Sequence, residues 1–256
     1  MAQLTPAQRL FDLTGEVALV TGASSGLGRR FAQVLAAHGA KVVAAARRTD
    51  RLAELAQDGS GIAPLALDVT ATGSLAAALA EAEAHFGPLT LLVNNAGIAS
   101  GGRILDTPVE DWAAVQRTNV DSVWHLSRAF AERLAARQSP GAIINIASLV
   151  AEKLGVSSAA YAVSKAAVLH MTKAQALEWA RLGIRVNAIC PGFIASEMTD
   201  GFLASPAGQE MVKRIPQRRA GDPSDLDGAL LLLASSRASG FMTGASLRID
   251  GGHALA

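Results

Sequence analysis

Short runs of apolar, often β-branched residues recur along the chain, with longer alanine-rich segments between them. Within each run the apolar side chains follow one another without alternating with polar ones, which is typical of strands covered on both faces. Seven such runs are predicted as strands, at residues 17–21, 41–46, 62–67, 89–94, 142–147, 185–190 and 247–250. The pattern therefore predicts a parallel sheet buried between two layers of helices.

The segments between the runs have the length and composition of crossover helices. They lie at residues 27–38, 50–57, 72–86, 108–137, 157–182 and 223–234. Gly39, Gly87 and Gly183 directly follow three of these segments, and glycine is the usual residue where a helix ends in a left-handed conformation. The alternation predicts an α/β fold with a doubly wound parallel sheet of about seven strands and helices on both faces.

Two stretches interrupt this alternation. One is an N-terminal arm, residues 1–14. The other, residues 192–219, is too long and irregular for an ordinary connection and is the expected position of a substrate-binding lid. The chain shows neither an internal repeat nor a low-complexity linker, so we expect one domain over residues 1–256.

The charge balance and the hydropathy argue against several classes of protein. The 23 basic and 22 acidic side chains leave a net charge of +1, which does not favour a nucleic-acid partner. No stretch reaches the ~18 consecutive apolar residues of a membrane-spanning helix, and residues 1–12 lack the features of a secretory signal. Cys190 is the only cysteine, which agrees with a reducing compartment. We expect a cytoplasmic protein that binds neither membranes nor nucleic acid.

A glycine-rich turn follows the first predicted strand and opens a helix. Gly22, Gly26 and Gly28 are spaced G-x-x-x-G-x-G, which differs from the common G-x-G-x-x-G dinucleotide fingerprint. Glycines there let the backbone turn tightly and let a pyrophosphate approach the amides at the helix N-terminus, where the dipole is positive. The same glycines could form a tight turn without a ligand, but the flanking strand and helix favour nucleotide binding.

Further short motifs follow the glycine turn in order along the chain. They are Asn94-Asn95-Ala96-Gly97, Asn119, Ser148, Tyr161 with Lys165 as Y-x-x-x-K, Pro191-Gly192 and Asp250-Gly251-Gly252. In order and spacing these motifs resemble the short-chain dehydrogenase/reductase family, and with the glycine turn they span residues 22–252. The resemblance implies a Rossmann-type fold and an oxidoreductase that transfers a hydride between a nicotinamide cofactor and a ketone or secondary alcohol.

Tyr161 is the candidate proton donor, because reduction of a ketone needs a proton on the developing alkoxide. Lys165 follows four residues later on a predicted helix, so a nearby ammonium should lower the pKa of Tyr161 from its usual value of about 10. Ser148, at the end of its strand, can hydrogen-bond the same substrate oxygen. The resemblance further implies that Lys165 holds the nicotinamide ribose and that Asn119 fixes a water linking Lys165 to solvent. This chemistry requires no metal, and the sequence contains no His/Cys cluster to hold one.

The end of the second strand bears on the choice between NAD and NADP. An acidic residue there would bind the ribose 2′-hydroxyl of NAD, but the strand ends at Ala46 and is followed by Arg47 and Arg48. Because a guanidinium can bind a 2′-phosphate, we expect a preference for NADP(H), with NAD(H) as the alternative. Against this, arginines after a strand are often only solvated, and Asp50 could serve as the ribose acid although its position suits a helix N-cap.

The candidate cofactor-binding residues combine the glycine turn and the two arginines with positions that the resemblance adds. By resemblance, Asp68 and Val69 border the adenine, and residues 189–196 meet the nicotinamide carboxamide. The full set is Gly22, Ser24, Ser25, Gly26, Leu27, Gly28, Arg47, Arg48, Asp68, Val69, Asn95, Ala96, Gly97, Tyr161, Lys165, Pro191, Gly192, Ile194 and Ser196.

The substrate is constrained less closely than the cofactor. The resemblance implies a pocket formed by Ser148, Leu149, Val150, Tyr161, Phe193, Met198 and Phe202. This mostly apolar set suits a hydrophobic ketone or secondary alcohol. An alternative is a reductase of 3-oxoacyl thioesters on acyl-carrier protein or coenzyme A, which would need a basic docking patch. A third hypothesis is a non-catalytic NADP-binding sensor or regulator, although such relatives usually lack the tyrosine or the lysine.

The two longest predicted helices, at residues 108–137 and 157–182, carry apolar side chains on more than one face. A helix that only covers a sheet needs a single apolar stripe, so the surplus indicates a subunit interface. The resemblance suggests a homotetramer in which the long helices and the C-terminal strands meet across two-fold axes.

Overall fold

The computed structural model of the chain describes residues 5–56 and 61–256. It contains seven strands: β1 (Val17–Thr21), β2 (Lys41–Ala46), β3 (Ile62–Ala66), β4 (Leu91–Asn94), β5 (Gly141–Ile146), β6 (Ile184–Pro191) and β7 (Ser246–Ile249). They form one parallel sheet in the order β3-β2-β1-β4-β5-β6-β7. The doubly wound sheet predicted from the alternation is therefore confirmed. Predicted and observed strand ends differ by at most two residues, the largest difference being that β4 begins at Leu91.

Eleven α-helices lie in the described part of the chain. They are α1 (Pro6–Leu10), α2 (Gly26–Ala37), α3 (Thr49–Ala56), α4 (Leu75–Phe86), α5 (Val109–Gln116), α6 (Ser122–Arg137), α7 (Ala159–Trp179), α8 (Asp200–Leu203), α9 (Pro206–Arg214), α10 (Asp227–Ala234) and α11 (Ser236–Ser239). Gln57, the predicted end of the helix at residues 50–57, and residues 1–4 of the N-terminal arm lie outside the described residues. None of the described helices is long and apolar enough to cross a bilayer.

The helices cover both faces of the sheet, and β1 shows why its apolar run does not alternate. Ala18 and Val20 point to one face, where they pack in the same core cluster as Phe31 of α2. Leu19 points to the other face and shares a cluster with Phe130 of α6. Successive strand side chains point to opposite faces, so burial of both faces requires apolar residues at every position.

The long helix predicted at residues 108–137 is present, but its backbone is irregular in the middle, which the apolar pattern did not predict. A π-helical turn, Arg117–Asp121, separates α5 from α6 and contains Asn119. Asn119 is completely buried, and its side chain makes three hydrogen bonds to groups outside the helix, which compensate for the irregular backbone. Single π turns of this kind are frequent at functional sites, and apolar periodicity does not reveal them.

The two stretches predicted to be irregular both contain short helices. In the segment 192–219, α8 and α9 follow one another, and Ser205 caps α9 by accepting a hydrogen bond from the Gly208 amide at 3.1 Å. In the N-terminal arm, Thr5 and Gln8 form a capping box around α1. Side-chain caps therefore stabilise short helices in both stretches that interrupt the alternation of strands and helices.

Candidate active site

A cleft of about 1050 Å³ opens at the carboxyl edge of the sheet. The strand order reverses between β1 and β4, and in an open α/β sheet the loops diverge at such a point and leave a crevice for a ligand. The turns after β1, β2, β3, β4, β5 and β6 contribute to its wall, together with α7. A smaller cavity of about 350 Å³ lies beside it, next to the end of β7.

The glycine turn after β1 is attached to the turn after β4. Thr21 Oγ1 accepts hydrogen bonds from the amides of Asn95 and Ala96, both at 3.0 Å, and Asn95 Nδ2 donates to the Thr21 carbonyl at 2.9 Å. Gly22 has a φ of +67°, and a Cβ there would lie 2.9 Å from Ala96 Cα, so only glycine fits. At the start of α2, Ser25 forms no side-chain capping bond. The free amides of the first helical turn are therefore available to an anion.

Gly28, one of the predicted cofactor residues, does not line the cleft. A Cβ on Gly28 would overlap the carbonyl oxygen of Gly22 and would approach Asn95 Nδ2 to 2.5 Å. Its role is close packing of α2 on the turn, which is the usual function of the third glycine in such motifs. The other eighteen predicted cofactor residues all line the cleft.

Arginines lie at the end of the cleft next to β2. Arg48 donates from Nε to Ser24 Oγ at 3.1 Å and from Nη2 to Ser25 Oγ at 2.6 Å, so its guanidinium lies over the glycine turn. Arg47 also lines the cleft. Nearby, hydrogen bonds from Thr70 and the charge of Arg47 lower the pKa of Asp68. Asp50 lies in the first turn of α3 and is not among the cleft residues.

The tertiary fold brings Ser148, Tyr161 and Lys165 together in the cleft. Ser148 follows β5, whereas Tyr161 and Lys165 lie one turn apart on α7. Lys165 is 4% exposed, donates from Nζ to the Ile146 carbonyl at 2.8 Å, and places Nζ 5.6 Å from the centre of the Tyr161 ring.

The structure corrects the predicted direction of the pKa of Tyr161. Burial raises the pKa of this phenol, and the neighbouring Ser148 hydroxyl only partly opposes that effect. Lys165 does not lower it as the spacing suggested, because its ammonium faces the Ile146 carbonyl and lies over the ring. Burial also lowers the pKa of Lys165 to about 8, and the smaller effect of the neighbouring Cys190 raises it only slightly. Tyr161 is thus held protonated at neutral pH, while Lys165 can exchange a proton near neutral pH.

Asn119 does not line the cleft but supports it from behind. Its Oδ1 accepts from the Ile98 amide at 2.9 Å, and its Nδ2 donates to the Ile98 carbonyl at 2.9 Å and to Ser164 Oγ at 3.0 Å. A Cβ on Gly97 would be 3.2 Å from Asn119 Oδ1 and 3.5 Å from Lys165 Nζ. Asn119 therefore fixes the backbone that lies against Lys165.

Three of the seven residues predicted to form the substrate pocket line the cleft. These are Ser148, Tyr161 and Met198, whereas Leu149, Val150, Phe193 and Phe202 do not line it. Phe193 lies with its ring centre 5.6 Å from both Phe202 and His253, and it lines the smaller cavity. Leu149 is 3% exposed and packs inward. Phe202 is 42% exposed, so it is only partly covered by Phe193.

Several cleft residues have no counterpart in the sequence prediction. They are Ala46, Leu67, Thr70, Ile98, Ala99, Ala114, Arg117, Thr118, Ile146, Ala147, Glu197 and Thr199. Most adjoin a predicted position and could have been found by extending each motif by a residue or two. Glu197 and Arg117 are the charged members, and no local pattern marks either one. Among the residues that the structure describes, no group of three His, Cys, Asp or Glu side chains is arranged to hold a metal ion.

Comparison with known proteins identifies the family. A family model described as enoyl-(acyl carrier protein) reductase matches residues 22–254. Galactitol 2-dehydrogenase (L-tagatose-forming) of Cereibacter sphaeroides is 40% identical over 251 residues, which cover 96% of this chain and 98% of that protein. The chain belongs to the short-chain dehydrogenase/reductase family.

Two further members of the family are similar to this chain over nearly its whole length. The 3-oxoacyl-acyl-carrier-protein reductase of Vibrio cholerae is 37% identical and covers 94% of this chain and 98% of its own. The crystal structure of a gluconate 5-dehydrogenase from Burkholderia cenocepacia in complex with NADP and tartrate superposes with a TM-score of 0.92 at 35% identity, covering 98% and 99% of the two chains. The prediction of an oxidoreductase of this family acting on alcohols or ketones is thus confirmed.

Proposed function

We propose that this short-chain dehydrogenase/reductase uses NADP(H) in preference to NAD(H) and interconverts a secondary alcohol and a ketone, with Tyr161 as the proton donor and acceptor. The observation that carries the proposal is that Ser148, Tyr161 and Lys165 line the same cleft as the glycine turn. A hydroxyl, a phenol and a buried amine beside a nucleotide-sized crevice suit hydride chemistry at a carbonyl carbon.

The residues present fit a dinucleotide. The turn around Gly22 has no room for a Cβ, so a phosphate can approach its backbone, and the amides that open α2 have no side-chain cap. Arg47 and Arg48 would hold a 2′-phosphate beside Ala46, where an NAD-binding acid is absent. Lys165 would hold the ribose next to the nicotinamide, and residues around Ile194 would bind its carboxamide. The neighbours with bound NADP, such as the gluconate 5-dehydrogenase, support this assignment.

When bound, the nicotinamide supplies or accepts the hydride. Tyr161 donates its hydroxyl proton to the substrate oxygen during reduction and takes it back during oxidation. Its raised pKa keeps that proton available at neutral pH. Ser148 donates a hydrogen bond to the same oxygen and stabilises the charge that develops there. Lys165, whose pKa is about 8, can return a proton towards Tyr161, and Asn119 positions the backbone beside Lys165.

We propose a small polyol or hydroxy acid as the substrate class. Four of the apolar side chains predicted to line the pocket are not among the cleft residues, which leaves less apolar surface there for a large hydrophobic ketone. The similarity to galactitol 2-dehydrogenase and to gluconate 5-dehydrogenase supports the same class. A 3-oxoacyl thioester is the second candidate, favoured by the likeness to the Vibrio cholerae reductase.

The functional test is a panel of polyols, sugar acids, simple ketones and 3-oxoacyl thioesters, assayed with both coenzymes. We expect turnover of a polyol or sugar acid, with the higher kcat/KM for NADP(H). Higher kcat/KM for the thioesters would favour the second candidate. NADPH binding without turnover of any compound would favour the sensor hypothesis.

Tyr161→Phe should lower kcat by a factor of about 10² to 10⁴, since it removes the proton donor. Binding of NADPH should be nearly unchanged, which separates loss of chemistry from loss of folding. Tyr161 is the only tyrosine in the chain, so phenolate absorbance in the folded protein reports this residue alone. The absorbance should develop only above the pH at which free tyrosine ionises. Ionisation of the phenol below that pH would contradict the raised pKa of Tyr161, and a Phe variant with unchanged kcat would contradict its role as proton donor.

We further propose one catalytic domain over residues 1–256, with residues 192–219 as the substrate lid, in a cytoplasmic homotetramer. Exposed apolar side chains on α5, α6 and α7 support the assembly, including Val109, Trp112, Trp124 and Leu177 at 75%, 41%, 49% and 84% exposure. Apolar surface of this kind usually belongs to an interface. The single, buried Cys190 is consistent with a reducing compartment.

A further inference from the structure

Glu197 bridges the two walls of the cleft. It lies in the segment that follows β6, and its carboxylate reaches two arginines at the opposite wall. Oε1 lies 2.5 Å from Nη1 of Arg51 in α3, and Oε2 lies 3.3 Å from Nη1 of Arg48 in the turn before α3. Glu197 is 149 residues from Arg48 and 146 from Arg51, and no motif links it to them.

Arg48 is the guanidinium best placed for an anion in this part of the cleft. Ser24 and Ser25 hold its Nε and Nη2, which fixes the planar group over the glycine turn. The third nitrogen of the guanidinium, Nη1, donates a hydrogen bond to the carboxylate of Glu197. The carboxylate thus competes with a phosphate for a charge-assisted hydrogen bond from Nη1 of Arg48.

The backbone around Glu197 is ordered by its own hydrogen bonds. Thr199 Oγ1 accepts from the Ser196 amide at 3.0 Å and donates to the Ile194 carbonyl at 2.6 Å. Ser196 also lies against the glycine turn, since a Cβ on Gly26 would be 3.6 Å from Ser196 Cβ. This small loop presents Glu197 towards the arginines. Hydrogen bonds from Arg51 and Arg48 lower the pKa of Glu197, so its side chain is anionic at neutral pH.

We propose that Glu197 is a specificity-determining residue that acts as an internal counter-ion of Arg48 and Arg51 and weakens binding of a 2′-phosphate. The inference rests on the proposed use of NADP(H). A 2′-phosphate that binds these arginines must displace the carboxylate or bind beside a like charge. A ligand with a free 2′-hydroxyl has no such competition. Glu197 therefore narrows the preference for NADP(H) over NAD(H) that the arginines would otherwise produce.

The size of the effect follows from the exposure of the ion pairs. The side chains of Glu197, Arg48 and Arg51 are 55%, 47% and 38% exposed, so each ion pair is weak. A phosphate carries about two charges and three acceptor oxygens, and it can displace such a carboxylate at modest cost. Removal of the charge should therefore tighten binding of a 2′-phosphate by about threefold.

The test measures binding of 2′,5′-ADP and of 5′-AMP by calorimetry, without substrate turnover. Glu197→Gln should bind 2′,5′-ADP about threefold more tightly than the unmodified protein, and its affinity for 5′-AMP should change by less than about 1.5-fold. The kcat/KM ratio of NADPH to NADH should rise by a similar factor. Glu54→Gln is the matched control, because Glu54 pairs with Arg29 at 3.9 Å and lies outside the cleft. It should leave both affinities unchanged.

The variant Arg48→Ala distinguishes a wrong counter-ion role of Glu197 from a wrong preference for NADP(H). If Arg48→Ala weakens 2′,5′-ADP but Glu197→Gln does not tighten it, the counter-ion role is refuted and the preference for NADP(H) stands. If the unmodified protein binds 2′,5′-ADP no better than 5′-AMP and Arg48→Ala changes neither affinity, both the proposed preference and the counter-ion role are overturned.

Discussion

Replacement of Lys165 with methionine should make the folded protein more stable at neutral pH. Lys165 is 4% exposed, and burial lowers its pKa from 10.5 to about 8. Folding therefore carries a cost whenever this ammonium is charged, since it leaves water for the interior. Methionine has a similar length and no charge, so the variant should avoid that cost.

The magnitude follows from the difference between the two pKa values. A shift from 10.5 to about 8 corresponds to roughly 3 kcal/mol of unfavourable free energy while the folded state is protonated. The variant also loses the hydrogen bond from Nζ to the Ile146 carbonyl, and a buried acceptor without a donor costs about 1 to 2 kcal/mol. The free energy of unfolding should thus be about 1 to 2 kcal/mol larger in Lys165→Met at pH 7.

The difference should also depend on pH. Between about pH 8 and pH 10.5 the unfolded lysine still binds a proton that the folded lysine has lost. The stability of the unmodified protein should therefore rise relative to the variant by about 1.4 kcal/mol per pH unit in this interval. The advantage of Lys165→Met is largest below pH 8, and the two stabilities should cross near pH 9.

Urea unfolding at pH 7 and at pH 9.5, at one protomer concentration, measures both quantities. Lys173→Met is the matched control, because Lys173 lies on α7 with an exposed side chain. It should change stability by less than about 0.5 kcal/mol at either pH. The reasoning is refuted if Lys165→Met is less stable at pH 7 and the difference stays constant up to pH 9.5.

Two further predictions concern packing and assembly. Gly28→Ala should lower the free energy of unfolding by about 1 to 3 kcal/mol, because the new Cβ would overlap the Gly22 carbonyl. Gly228→Ala in α10 is the control, since a Cβ there meets nothing within 4 Å. This variant should raise the free energy of unfolding by up to about 1 kcal/mol. Thermal unfolding of both variants checks this, and equal shifts would contradict the packing role of Gly28. Light scattering should give the mass of four chains, and Trp124→Glu should lower it because this exposed apolar side chain lies on α6. A monomeric mass of the unmodified protein at micromolar concentration would reject the tetramer.

The architecture was largely predictable because its signals are local. A strand buried on both faces needs an apolar residue at every position, as in β1, and this requirement is visible as a continuous run. The spacing of Tyr161 and Lys165 places both on one face of any helix, whatever lies around it. The glycine turn is equally local, since positive φ at Gly22 and the opening of α2 depend on a few neighbouring residues.

Other features of the site depend on which distant segments meet, and the sequence pattern did not indicate them. The bond between Glu197 and Arg48 joins residues 149 positions apart, and nothing near either residue indicates the partner. Phe193, which was predicted to lie in the substrate pocket, packs against Phe202 and His253 and lines the smaller cavity. The sequence predicted a lowered pKa for Tyr161, but the pKa is raised, because burial outweighs a charge one turn away.

The chain thus carries in its local pattern the strands, the helices, the turn and the identity of the reacting groups. The packing of those elements decides how deeply each group is buried, which carbonyl or carboxylate faces it, and which side chains reach the cleft. Desolvation and ion pairing depend on the surroundings in three dimensions, whereas backbone conformation and helix faces depend on neighbours in sequence. For this reason Lys165 could be recognised from its spacing, but its lowered pKa required the folded structure.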